Sequence, residues 1–156
     1  MARDRGRSLR GQRCYDSKPK NWGDNITIIG ALTLAGLEAV MTLNGALTKE
    51  WFKEWVKRFL LPIVRFGDIV ILDNLSAHKS QEIIAMVEAK GAKMIFLPPY
   101  SPDFNPIEKA WSKLKELMRG LKPRTRGELE RALVWAQDQI SGQDALGWFM
   151  HAGYWP

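Results

Sequence analysis

Two carboxylates stand where a chain could use them for chemistry. Asp73 ends the apolar run Ile69-Val70-Ile71-Leu72 and is followed at once by Asn74. Glu108 lies beyond the proline-rich stretch Pro98-Pro99-Tyr100-Ser101-Pro102, three residues after Asn105. Phosphoryl transfer on DNA without a covalent enzyme intermediate uses two divalent ions roughly 3.5–4 Å apart, one activating the attacking oxygen and one stabilising the leaving oxygen. Mg2+ is a hard ion that takes carboxylate oxygens and leaves its other positions to water and phosphate, so two carboxylates on rigid elements would be part of such a site. Each residue also has a plainer reading. Glu108 could reach back to the Asn105 amide in an N-x-x-E capping box, and Asp73 could close its strand by accepting nearby backbone N–H groups. His78 reads as a helix-start residue with no second histidine near it, and His151 belongs to the C-terminal segment. Spacing alone leaves these alternatives open.

The elements that must position the two carboxylates are legible in the pattern. Asn25 to Leu34 alternates as a half-buried strand, and Ala35-Gly36 turns it into a second, Leu37 to Leu43, giving a hairpin. From Thr48, a fitting N-cap, apolar residues at 51, 52, 55, 56, 59, 60 and 63 keep helical spacing up to the region of Pro62. Gly67 breaks that pattern before Asp68-Ile-Val-Ile-Leu72, which is apolar on both faces, as expected of a strand covered on both sides. A helix over Gln81 to Lys90 stopped by Gly91, and a short buried strand over Ala92 to Leu97, come next. The prolines at 98, 99 and 102 exclude helix and stiffen the loop before Glu108. Asn105 is the expected cap of the next helix, with Pro106 at its first position and Gly120 near its end. Its stripe of Ile107, Ala110, Trp111, Leu114, Met118 and Leu121 reads as core. Thr125-Arg-Gly-Glu128 is a capping box opening a further helix through Ile140, and Gly147 to Trp155 forms an aromatic-rich closing segment. The order β-β-α-β-α-β-α-α predicts an α/β fold of mixed sheet and helices.

Composition narrows the classes of function. At 156 residues the chain suits one domain able to bury roughly 68–70% of its unfolded surface. No apolar run approaches the roughly 20 residues of a membrane span, so a cytosolic location is expected. The single Cys14 can form no internal disulfide and has no metal-binding spacing. Net charge is +6, concentrated in residues 1 to 20, where Arg3, Arg5, Arg7, Arg10, Arg13, Lys18 and Lys20 face only Asp4 and Asp16. Such a basic arm suits a polyanion like DNA through counterion release, although a solvated tail has the same composition. Arg7, Arg10, Arg13 and Lys79 are the candidate DNA contacts, with Arg119 a further one.

ILDNLSAHKS (71–80) together with FLPPYSPDFNPIEKAWSKLK (96–115) resembles the second and third acidic motifs of bacterial insertion-sequence transposases of the mariner-like DDE superfamily. The similarity runs from about Gly6 to Tyr154 and includes RGQR, NITIIGAL and HAGY. What the resemblance implies is a ribonuclease-H-like mixed sheet flanked by helices, in which three carboxylates hold two Mg2+ (or Mn2+) ions for DNA strand cleavage and transfer. On that mapping Asp73 is the second carboxylate and Glu108 the third. The family's first aspartate ends a first, central strand upstream of the segment resembling GRSLRGQR, and no such strand precedes it here. Asp4, Asp16 and Asp24 all fall after that strand's place and are not assigned the role. The expected organisation is therefore a basic arm and connecting segment over 1–24 and a partial DDE transposase catalytic domain over 25–156. The expected partners are DNA, as transposon ends and target, and an upstream-frame transposase product or a second copy. The expected location is the cytoplasm, at a bacterial nucleoid. Without its first aspartate the chain alone is expected to be inactive. The alternatives are a non-catalytic DNA- or transposase-binding fragment and a ribonuclease-H-like nuclease.

Overall fold

Alternating Ile, Thr and Val residues build β1 (Ile26–Thr33) and β2 (Gly36–Asn44), which pair antiparallel from Ile26 opposite Asn44 to Thr33 opposite Gly36. The computed structural model describes residues 9–12, 25–74 and 80–155. Arg7, Arg13, Cys14, His78 and Lys79, and with them most of the basic arm, lie outside the described residues. The hairpin turn requires glycine at Gly36, whose φ of 131° and approach to the Ile140 carbonyl, 2.5 Å from where a Cβ would stand, exclude any side chain. The register shifts between Ile29 and Ala31, a bulge at which Ala39 adopts φ 52°. Trp55 Nε1 donates to the Ala39 carbonyl at 2.6 Å, so the bulge is tied to the following helix.

That helix, α1 (Lys49–Trp55), begins as expected at Thr48, whose hydroxyl accepts from the Trp51 amide at 3.3 Å. It widens into a π-helical turn over Val56–Leu60, closed by Leu61 N donating to Val56 O at 2.8 Å. β3 (Ile69–Leu72) then pairs in parallel with β4 (Lys93–Phe96) across the crossover helix α2 (Gln81–Glu88). α3 (Ile107–Leu121), α4 (Arg126–Asp138) and α5 (Gly142–His151) complete the chain. Among the described residues no helix is long and apolar enough to cross a membrane.

The mixed α/β architecture expected from the element order is present, with the described strands in two separate pairs, β1-β2 and β3-β4. The hairpin divides two cores, as period-2 alternation demands. Ile29, Ala31 and Met41 pack with Phe52, Trp55, Val56, Leu60, Ile83 and Val87. Ile28, Leu32 and Leu37 pack with Leu114 and Met118 of α3, Leu133 of α4 and Ile140 just beyond it. Most of the Trp111 stripe is core, as expected, with Ala110, Leu114 and Met118 fully buried and Ile107 and Trp111 packed beside them, whereas Leu121 at the end of α3 is exposed.

Four expectations need correction. β3 is not covered on both sides: Ile69 is 59% exposed, because the edge of β3 away from β4 has no strand beside it among the described residues. β4 is not buried either, since Lys93 and Ile95 face solvent. α3 begins at Ile107 with Pro106 as N-cap, and it passes through Gly120 to stop at Lys122. Lys122 adopts φ 50°, ψ 48° before Pro123, whose ring disfavours a helical residue in front of it. α5 is a helix in its own right, opened by a second capping box in which Ser141 and Asp144 exchange bonds of 3.2 and 2.9 Å. The Thr125–Glu128 capping box forms as expected.

Asp144 also ties α5 to α3. Lys113 Nζ lies 2.7 Å from Asp144 Oδ2, and that ammonium, followed by the Ser141 amide, lowers the Asp144 pKa from 3.8 to about 2. A carboxyl depressed on folding adds stability that is present above its unfolded value and lost as pH falls through its folded one. The relevant window runs from about 3.8 down to about 2. Both side chains remain about a third exposed, so solvent screening reduces the contribution to about 1 kcal/mol. Lys113→Ala is therefore expected to flatten the fall in thermal stability across that window, and an unchanged acid slope would exclude the assignment.

Candidate functional site

The parallel ladder sets the position of the first carboxylate. Leu97 N donates to Leu72 O at 2.8 Å, the last bond holding β3 to the β4 side, and Asp73 follows directly, half-buried. The proline loop then carries the chain to the second carboxylate. Tyr100 turns it at φ 56°, and a 3-10 turn over Pro102–Phe104 directs it into α3.

The capping alternative for Glu108 is not what forms. The Asn105 amide donates to the Pro102 carbonyl at 3.0 Å, and α3 has no side-chain cap bond. Glu108 N donates to the Asn105 carbonyl at 3.1 Å, which holds the residue in the first turn of α3 with its side chain exposed. From the far side the loop is held by the segment after α5: Tyr154 Oη donates to the Phe104 carbonyl at 2.9 Å, and burial raises the pKa of that hydroxyl above its ordinary 10.0.

Asp73 and Glu108, separated by a helix and a strand in the chain, line one cavity of about 430 Å³. Its walls include residues 28–33 of β1 and residues 69–72 of β3, with Asn105, Trp111 and Phe149 beside Glu108. Asp68 lines the same cavity, but its Oδ2 accepts from the Arg65 amide at 2.7 Å. Asp68 also stands five residues from Asp73 along an extended strand, roughly 16 Å away at about 3.3 Å per residue, too far to share an ion with it. A smaller cavity of about 220 Å³ shares Glu108 and Asn105 and adds Asp103, Lys109, Trp148 and His151. His151, read from sequence only as part of the C-terminal segment, thus borders Glu108. No spacing rule links positions 108 and 151, because the loop and α5 meet only through tertiary packing.

The donor set fits a hard divalent ion in type and only in part in number. Two carboxylates share the cavity, while no group of three or more His, Cys, Asp or Glu able to hold a metal occurs among the described residues. Arg10 and Arg119 are both exposed, as a nucleic-acid contact requires, and Arg7, Arg13 and Lys79 lie outside the described residues.

A mixed α/β scaffold thus brings carboxylates from a strand end and a helix start to one cavity. Residues 1–130 match the family model described as DDE superfamily endonuclease, and the chain belongs to that family. Among solved structures it is similar to one described as "Mos1 transposase paired-end complex with left transposon end", with 13% identity and a TM-score of 0.48. That similarity covers 99% of this chain and 52% of the other, so this chain spans about half the length of the one it matches. No curated protein matches the chain.

Proposed function

We propose that this chain is part of the catalytic domain of a DNA transposase, in which Asp73 and Glu108 hold two divalent ions, Mg2+ or Mn2+, for cleavage of transposon ends and joining to target DNA. The observation that carries the reading is that the two carboxylates picked out in the sequence line a single cavity in a chain of the DDE endonuclease family. Bound ions would supply the activated water or 3′-hydroxyl and stabilise the leaving oxygen. The chain's own contribution is to hold oxygen donors on a strand end and a helix start.

Among the described residues no group of three His, Cys, Asp or Glu able to hold a metal occurs, and on this reading the described residues alone bind metal weakly and do not cleave DNA. The proposed setting is the bacterial cytoplasm, at the nucleoid. Localised oxidation tests the site: Fe2+ in place of Mg2+, with ascorbate and peroxide, should cut the chain near residues 73 and 108, and excess Mg2+ should suppress the cuts. Cuts confined to other regions would overturn the site. Turnover of a labelled transposon-end duplex by the chain alone, abolished by Asp73→Ala, would overturn the inactivity.

DNA binding is assigned to the basic arm and to Lys79. Alanine at Arg7, Arg10 and Arg13 together should reduce the slope of log affinity against log salt by about 2.7, or about 0.9 for each phosphate no longer neutralised. A slope unchanged by the triple substitution would place the DNA contacts elsewhere. A binding fragment without catalysis would show the same salt dependence but no metal-directed cuts at 73 and 108.

A further inference from the structure

We propose that Tyr154 is a positioning residue for Glu108, holding the turn that carries this carboxylate through one hydrogen bond to the Phe104 carbonyl. For the role of Glu108 this rests on the metal reading of the site. The family match ends at residue 130, and Tyr154 lies beyond it. The turn before Glu108 has little else to hold it. Residues 98–100 and 102–104 are exposed, and Tyr100 adopts φ 56° without being glycine. The loop's own hydrogen bonds are internal: Ser101 Oγ donates to Pro99 O at 3.3 Å, Phe104 N to Ser101 O at 3.3 Å and Asn105 N to Pro102 O at 3.0 Å. α3 adds no side-chain cap. Among the described residues, the one hydrogen bond that reaches residues 98–105 from an element other than α3 is that of Tyr154 Oη, at 2.9 Å.

Tyr154 is itself fixed independently of the loop. The C-terminus of α5 closes as a Schellman motif: Gly153 takes φ 87°, its N donates to Met150 O at 3.1 Å, and Tyr154 N donates to Phe149 O at 2.9 Å. The apolar contact that accompanies such a motif is here the edge contact of the Tyr154 and Phe149 rings, with centroids 6.3 Å apart. Phenylalanine at position 154 would make that contact equally well. The hydroxyl is what tyrosine adds, and its partner is the loop.

α5 thereby brackets Glu108. Asp144 in its first turn accepts from Lys113, five residues after Glu108, and Tyr154 beyond its last turn donates to Phe104, four residues before it. Between these ties Trp148 and His151 of α5 line the smaller cavity, and Glu108 lines that cavity as well as the larger one. A carboxylate on a helix start without a side-chain cap is thus fixed from both sides by one helix. Such support matters because a ligand set works only when held to within about 0.5 Å of its productive geometry.

The test compares the full chain with its Tyr154→Phe variant, by hydrogen exchange without metal and by iron-directed cutting. Exchange of the Asn105 and Glu108 amides should quicken about fivefold, the equilibrium weight of one ordinary hydrogen bond, while residues 69–72 and 93–96 of β3 and β4 stay unchanged. With Fe2+, ascorbate and peroxide, cuts near residue 108 should fall about fivefold relative to cuts near residue 73. Unchanged exchange at 105 and 108 would overturn the proposal. So would exchange that quickens throughout the chain, the sign of a tyrosine that only stabilises the fold, or an equal loss of cuts at both positions. A parent chain cut at neither position would overturn the metal reading and with it the role of Glu108, while the exchange result still decides whether Tyr154 holds the turn.

Discussion

Replacing Asp73 with alanine lowers the affinity of the chain for Mn2+ by at least about tenfold, and Glu108→Ala does the same. The size follows from what supporting groups are worth: loss of a residue that only orients a metal ligand costs about 10–100-fold, and loss of the ligand itself costs no less. Glu108→Ala should not move the unfolding free energy by more than about 1 kcal/mol, because Glu108 is exposed and caps nothing. That separation of effects is the signature of a site as opposed to a structural carboxylate. In any assembly that cleaves DNA, each single change abolishes cleavage and the double change adds little, since groups that act as a unit are not additive. Electron paramagnetic resonance of bound Mn2+ in the two variants measures the effect. Unchanged affinity in both would remove Asp73 and Glu108 from the metal site.

Phe52→Ala is the most damaging single truncation expected in the core. The ring is 1% exposed, stacks on Trp55 with centroids 5.6 Å apart, and joins the hairpin to α2 through the first core. Truncation of a fully buried phenylalanine costs about 3–5 kcal/mol through lost transfer energy and a residual cavity. In a domain of this size that corresponds to a fall in Tm of about 10 °C. The neighbouring Trp51 is the internal control: 51% exposed, it should change stability by no more than about 0.5 kcal/mol as alanine. Calorimetry of the two variants decides, and a Phe52→Ala cost below about 1 kcal/mol would mean that the first core does not pack as described.

The Thr48 cap, the Thr125–Glu128 box and the hairpin were legible because each is an interaction between residues a few positions apart, where residue type and spacing decide the outcome. The second box at Ser141 was equally local and was missed, since the glycines around it obscured the start of a helix. Glu108 shows the limit of such reasoning. Asn105 three residues before it has the form of a capping box, yet a 3-10 turn satisfies the Asn105 amide first and leaves the carboxylate for the cavity.

The apolar run before Asp73 shows the other limit. Its composition suits a strand covered on both sides, and Ile69 is nonetheless exposed, because composition reports what a segment can bury and not whether a neighbour is there. By itself the sequence determined the elements through α4, their order, the two carboxylates and the basic arm, all of which depend on local propensity and charge. Tertiary structure alone decided that Asp73 and Glu108 share one cavity and that His151 lines a smaller one beside Glu108. Those relations join residues tens of positions apart, and only the packing of helices on the hairpin brings them together.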